Sequence, residues 1–230
     1  MSHPPGRARG LGLVLGLCAV GCGASSVEDG PASRVVCPGE PTPFADKVVS
    51  YTPGPNAGFG QDEFPGIVLG PPRGGGRTSG SLDVLSLGRG GEIVLEFTDV
   101  GLLDGPGVDL LVFENAFESP VGLFSERGIV AVSEDGQTWH EFPCASTDSE
   151  GGYPGCAGVH PVLSSPDNGV SATDPAVAGG DGFDLAVLGL PRARFVRIRD
   201  SGNNPNGAPS AGFDLDAVAV VNGEPLCQAP

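Results

Sequence analysis

The residues in this chain best suited to chemistry are acidic. Asp104, Asp109, Glu114, Asn115, Asp181, Asp184, Asp214 and Asp216 all stand at or near the ends of short apolar runs. Three of those runs open on one phrase, Gly-x-Asp-Leu: "GVDLLVF" from Gly107, "GFDLAVL" from Gly182 and "GFDLDAVAVV" from Gly212. Carboxylates, Asn side chains and backbone carbonyls are the donors that calcium gathers, roughly six to eight at a time. On an extended strand Asp214 and Asp216 share one face, and at the end of a buried strand such a pair needs a cation, an arginine or water. Two partners are open on this pattern. One is a structural Ca2+ held by members of the acidic set. The other is the arginine stripe of "RARFVRIRD", Arg192, Arg194, Arg197 and Arg199.

Other chemistry is thinner. Two acids flanking a glycosidic bond would make a hydrolase, and Glu114 in "FENAF" is the residue to test. With so many carboxylates, chance pairs are expected, so hydrolysis is the minority reading and no catalytic residue is assigned. There is no Gly-x-Ser-x-Gly nucleophile motif. Zinc is disfavoured, because there is no Cys-x-x-Cys and the histidines are few. Trp139 and His140 read as strand residues, with Trp139 in the core. "GGDGFDL" (179–185) matches one copy of a calcium nonapeptide, but such repeats bind calcium between stacked copies.

The elements that must position these acids are short strands. Runs rich in Val and Ile, bounded by Gly, Pro, Asp and Asn, are expected at 93–97, 109–113, 129–133, 138–142, 184–188, 195–199 and 213–221. Weaker ones lie at 48–51 and 84–87. Asp135-Gly136 between two of them predicts a hairpin. In "FVRI", Val196 and Ile198 face one way and Phe195 and Arg197 the other. No long helical periodicity appears after the N-terminus. Gly and Pro, 39 and 23 of 230 residues, fit an all-β domain with many turns and long loops. The longest, 144–181, is expected to be functional or disordered. The intervals between the Gly-x-Asp-Leu phrases are unequal, which excludes a simple repeat array.

Charge and cysteines bound the setting. A net charge of −16 argues against nucleic acid as a partner. Arg7 and Arg9 precede an apolar stretch, Leu11 to Val20, of signal-peptide length. It ends in "AVGC", which resembles a bacterial lipobox, with Cys22 the expected lipidation site. The expected organisation is a signal peptide at 1–21, a flexible tether at 22–36, and one β-sandwich domain at 37–230. Gly23 after the cysteine favours the outer membrane. Four cysteines remain for an oxidising compartment. Of the three possible pairings, Cys144 with Cys156 closes a short loop and Cys37 with Cys227 joins the domain ends; this set is favoured.

"VAVSEDGQTW" followed by "ARFVRIRD" resembles the discoidin and galactose-binding-like jelly rolls, which implies that fold and leaves the ligand open. A longer stretch, from "FPGIVLGPP" through "SLDVLSLGRGGEIVLEF" and "DGPGVDLLVFENAF" to "GFDLDAVAVV", is similar to a family of bacterial cell-surface lipoproteins and secreted proteins. That resemblance implies export and a surface β-domain, and no activity. The function expected is non-catalytic binding of a glycan or surface protein through loops at one end of the sandwich, with calcium as a stabiliser. A structural envelope lipoprotein without a ligand is the alternative.

Overall fold

A computed structural model of the chain describes Met1 and residues 35–204 and 206–228. The chain divides into two units, Met1–Ser33 and Arg34–Pro230. The signal peptide and the lipid-bearing Cys22 expected from the sequence lie outside the described residues. Of the expected tether, 22–36, only Val35 and Val36 lie among the described residues. Val35 and Val36 already run beside Gln228, with Cys37 N donating to Gln228 O at 2.7 Å.

The strands are β1 (Lys47–Thr52), β2 (Leu85–Ser86), β3 (Glu92–Glu96), β4 (Val100–Leu103), β5 (Leu110–Phe113), β6 (Phe117–Ser119), β7 (Gly122–Phe124), β8 (Gly128–Ser133), β9 (His140–Glu141), β10 (Asp181–Phe183), β11 (Arg192–Ala193), β12 (Phe195–Asp200), β13 (Asp214–Leu215), β14 (Ala217–Val220) and β15 (Gly223–Pro225). All the paired strands are antiparallel, and the described residues contain short 3-10 turns but no α-helix. The domain is all-β. The largest sheet has the order β1-β3-β12-β8-β9, and a three-stranded sheet has the order β10-β5-β14.

Strand alternation explains the core. Ile93 and Leu95 of β3, Val130 and Val132 of β8, and Val196 and Ile198 of β12 turn one face of the large sheet inward. They share a core with Leu110 and Val112 of β5, Phe183 of β10, and Val218 and Val220 of β14. Each such side chain contributes roughly 1.5–3 kcal/mol on burial. The other face of β5 and β14 is covered too. Leu111, Phe113, Ala217 and Ala219 pack with Val162 and Ala178 of the long 144–181 segment. That segment is therefore built into the domain, and the Val162–Gly179 bridge and the Cys144–Cys156 disulfide hold it. Cys37 is bonded to Cys227, closing the ends of the domain.

Three expectations need correction. Residues 184–188 are not a strand: β10 ends at Phe183, and Asp184 caps a 3-10 turn over Leu185–Leu188 by accepting from Ala186 N at 2.8 Å. The run 213–221 is not one regular strand. Phe213, Leu215, Val218 and Val220 all enter the main core, so the alternation slips by one residue at Asp216, whose N–H reaches Phe113 O. The hairpin return is shorter than 138–142. His140 and Glu141 pair with β8 and Phe142 N donates to Val130 O at 2.9 Å, while residues 133–139 make a wide turn gathered by the Asp135 carboxylate. That carboxylate is held down to about 2, chiefly by the Thr138 and Gln137 N–H groups. Trp139 is half-buried outside the core, under the Arg197 guanidinium at 4.8 Å.

Candidate functional site

The strand β5 determines which acids can meet. Asp109 precedes it and Glu114 follows it. At about 3.3 Å per residue, their backbones stand ~16 Å apart. The antiparallel neighbours sort the remaining acids between the two ends. β10 sets Asp181 opposite Val112 and Phe183 opposite Leu110. β14 sets Ala217 opposite Phe113 and Val220 opposite Leu110. Asp181, Asp214 and Asp216 therefore lie toward the Glu114 end, and Asp184 toward the Asp109 end. The acidic set read from the sequence is thus divided between the two ends of β5.

At the first end Glu114 meets Asp214 and a residue the sequence reading missed, Glu126. One carboxylate oxygen from each lies within 4.8 Å of the others. Glu114 is 1% exposed, Glu126 0% and Asp214 3%. They arrive from three places: the end of β5, the segment leading into β8, and β13. Ser86, opposite Asp214 on β2, donates its hydroxyl to Asp214 Oδ1. The Asn206 amide donates to Glu126 Oε1 at 2.9 Å. Asn115 beside Glu114 spends its Oδ1 on Ser81 N at 2.5 Å.

Three of the cluster's oxygens are unsatisfied. Neither oxygen of Glu114 has a hydrogen-bond partner, and neither does Oε2 of Glu126. No salt bridge among the described residues involves any of these carboxylates. Arg127 is adjacent in sequence, but its guanidinium turns away to Ser125 O at 2.9 Å and Asn203 O at 2.6 Å, and it lies 4.6 Å from the Tyr153 ring centroid. Burial, then repulsion from Asp214 and Glu126, lifts Glu114 well above the usual carboxylate range; the Asn115 N–H opposes this without completing a hydrogen bond. Burial and Asp214 push Glu126 up to about 9. Burial raises Asp214 to about 6, against the Ser86 hydroxyl.

The other end is saturated. Asp109 is fully buried, and its Oδ1 accepts from Gly105 N at 2.9 Å and the Asn222 amide at 2.9 Å. Its Oδ2 accepts from Leu185 N at 2.8 Å. Asp104 and Asp184 offer oxygens within 4.8 Å of it, but both are at least partly exposed. Asp181 serves a third purpose. It accepts from Gly158 N and Val159 N and binds His160 Nδ1 at 2.7 Å, which raises the imidazole's affinity for its proton. Asp216 accepts from Arg73 N with both oxygens at 3.0 Å, and burial still pushes it up to about 8.

The arginine stripe is not the acids' partner. Arg192 pairs with Glu224, Arg194 with Glu96, Arg197 with Glu92 and Glu141, and Arg199 with Glu141. The repeated phrase is not one structure: Gly107 and Gly212 both take a positive φ ahead of a strand, and Gly182 does not. Gly212 has φ 84°, and a Cβ there would run into the Gly88 carbonyl, so that position requires glycine. Gly182 lies within β10 and has no positive φ.

A second feature lies along β10. A largely apolar cleft of about 750 Å³ is lined by Phe142, Pro143, Phe183 and Val187 and by the disulfide-closed loop at Cys144 and Ala145. It shares Gly182 with a smaller hollow of about 150 Å³ beside Tyr153 and His160. The sequence matches no protein-family model and no curated protein.

Proposed function

We propose that this chain is an exported, lipid-anchored, non-catalytic protein of the bacterial cell surface or outer membrane, whose β-domain binds another surface protein in the cleft beside β10. The cleft carries the reading. Its volume is in the range typical of binding sites, and its walls are aromatic and aliphatic with few polar groups. Sugar hydroxyls need partners that this lining scarcely supplies, so a protein segment fits better than a glycan. β10 is also an edge strand, since the sheet order is β10-β5-β14.

The anchor reading rests on Arg7, Arg9, the apolar stretch and "AVGC" around Cys22. Two disulfides suit an oxidising compartment. A galactose-binding-like jelly roll is supported by the hairpin β8–β9 lying beside β12, as the two motifs of that resemblance require. Hydrolysis is disfavoured because Glu114, Glu126 and Asp214 are buried away from any polysaccharide. Calcium is the ion we expect to stiffen the domain.

The test immobilises the chain and challenges it with solubilised envelope proteins and with polysaccharides. Val187 is 63% exposed, so Val187→Asp places a charge in the cleft without disturbing the core. Capture of a defined envelope protein that falls at least tenfold with Val187→Asp supports the reading. Polysaccharide binding indifferent to that change moves the site elsewhere. No capture of either leaves the structural lipoprotein.

A further inference from the structure

We propose that Glu114, Glu126 and Asp214 form a calcium site inside the domain. This locates the ion expected under the reading above and rests on that expectation.

The first ground is unmet valence. A carboxyl group that is 1% exposed with no partner for either oxygen is costly whichever form it takes. Ionised, it lacks a counter-charge. Protonated, its O–H has no acceptor and remains unsatisfied. Glu126 Oε2 also lacks a donor. Buried polar atoms are rarely left so, and here two neighbouring residues leave three oxygens unpartnered.

The second ground is geometry. Oxygens bound to one calcium at about 2.4 Å cannot stand more than ~4.8 Å apart. The three carboxylates meet that limit. The third is chemistry. The donors are all oxygen, with no imidazole or thiolate in the group, which suits a hard cation and not zinc or copper. Arg127, next to Glu126 in sequence, is committed to two carbonyls and the Tyr153 ring, and Arg89 to the Asn206 carbonyl. An ion there would join the end of β5, the segment leading into β8, and β13.

The Asp104–Asp109–Asp184 group is the control, since its buried member already has its donors. The experiment measures calcium binding to the full chain by equilibrium dialysis and by thermal unfolding, for wild type, Glu114→Gln, Asp214→Asn and Asp104→Asn. The expected result is one ion per chain in the wild type and in Asp104→Asn. The melting temperature should rise roughly 5–10 °C at a hundredfold excess over the dissociation constant. Glu114→Gln and Asp214→Asn should each weaken binding at least tenfold. Glu126→Gln serves as a further variant if either shows an unfolded circular dichroism spectrum. Calcium bound equally by wild type and Glu114→Gln but lost in Asp104→Asn would overturn this site and leave the calcium expectation standing. No binding by any form would overturn both, without touching the cleft.

Discussion

The two ends of β5 carry the same kind of residue in opposite conditions. Asp109 and Glu114 are both buried carboxylates flanking one four-residue strand. Asp109 is ringed by donors from Gly105, Leu185 and Asn222. Glu114 is ringed by further acids and meets no donor. A short Asp in a tight loop can be satisfied by nearby backbone N–H groups. Glu114 instead projects into a space that other strands also fill with carboxylates. An acidic residue is thus structural or ion-seeking according to what faces it.

The contrast can be broken most sharply at Asp109. Asp109→Ala should cost about 3–5 kcal/mol, because it strands buried donors. Urea unfolding should give the same loss with calcium and with chelator. A loss that calcium repairs would mean the ion binds at this end.

Next in size is the Cys144→Ser, Cys156→Ser double variant, which removes a disulfide spanning 12 positions. About 2–3 kcal/mol should be lost. Tyr153 in that loop packs on Arg127 beside Glu126, so the variant also asks whether the acidic centre depends on the loop. The calcium-induced rise in melting temperature should survive.

Glu114→Gln should act opposite to Asp109→Ala. With chelator present, the neutral amide removes the cost of burying a carboxyl that must be protonated to fold, and stability should rise by about 1 kcal/mol. A loss under chelator would show that Glu114 is already satisfied without an ion.

The smallest effect belongs to His160. Its pKa is raised by the hydrogen bond to Asp181, so the pair adds stability that is full below the unfolded value of 6.5 and is lost as pH rises through the folded value. The imidazole is largely exposed, so screening keeps the effect under about 1 kcal/mol. Unfolding of His160→Gln between pH 5 and 8 should lack this slope; an unchanged slope would place its origin elsewhere.

Much of the fold was legible where one short window held the whole signal. "EIVLEF" and "FVRIRD" alternate cleanly and became β3 and β12 within a residue of the expected ends. The spacing of Cys144 and Cys156 made their pairing readable, and the bond is present. The failures have local causes too. "DLAVL" carries a strand-like composition, but Asp184 caps the next turn and winds it into a 3-10 segment. "DLDAVAVV" reads as one period-two strand, yet the slip at Asp216 sends Asp214 and Asp216 to different partners. Glu126 was unreadable, because Glu-Arg ahead of a strand looks like an exposed ion pair.

By itself the sequence determined that this domain would be built of short antiparallel strands, since alternation, glycines and turn residues act within a few positions of one another. It also placed carboxylates at the heads of those strands. Only the tertiary structure decided which carboxylates meet. Pairing β10 and β14 against β5 assigns each acid to one end of a strand ~16 Å from the other, and brings in Glu126 from a segment with no marking of its own. Proximity between residues a hundred positions apart is a property of strand register, and no window of sequence contains it.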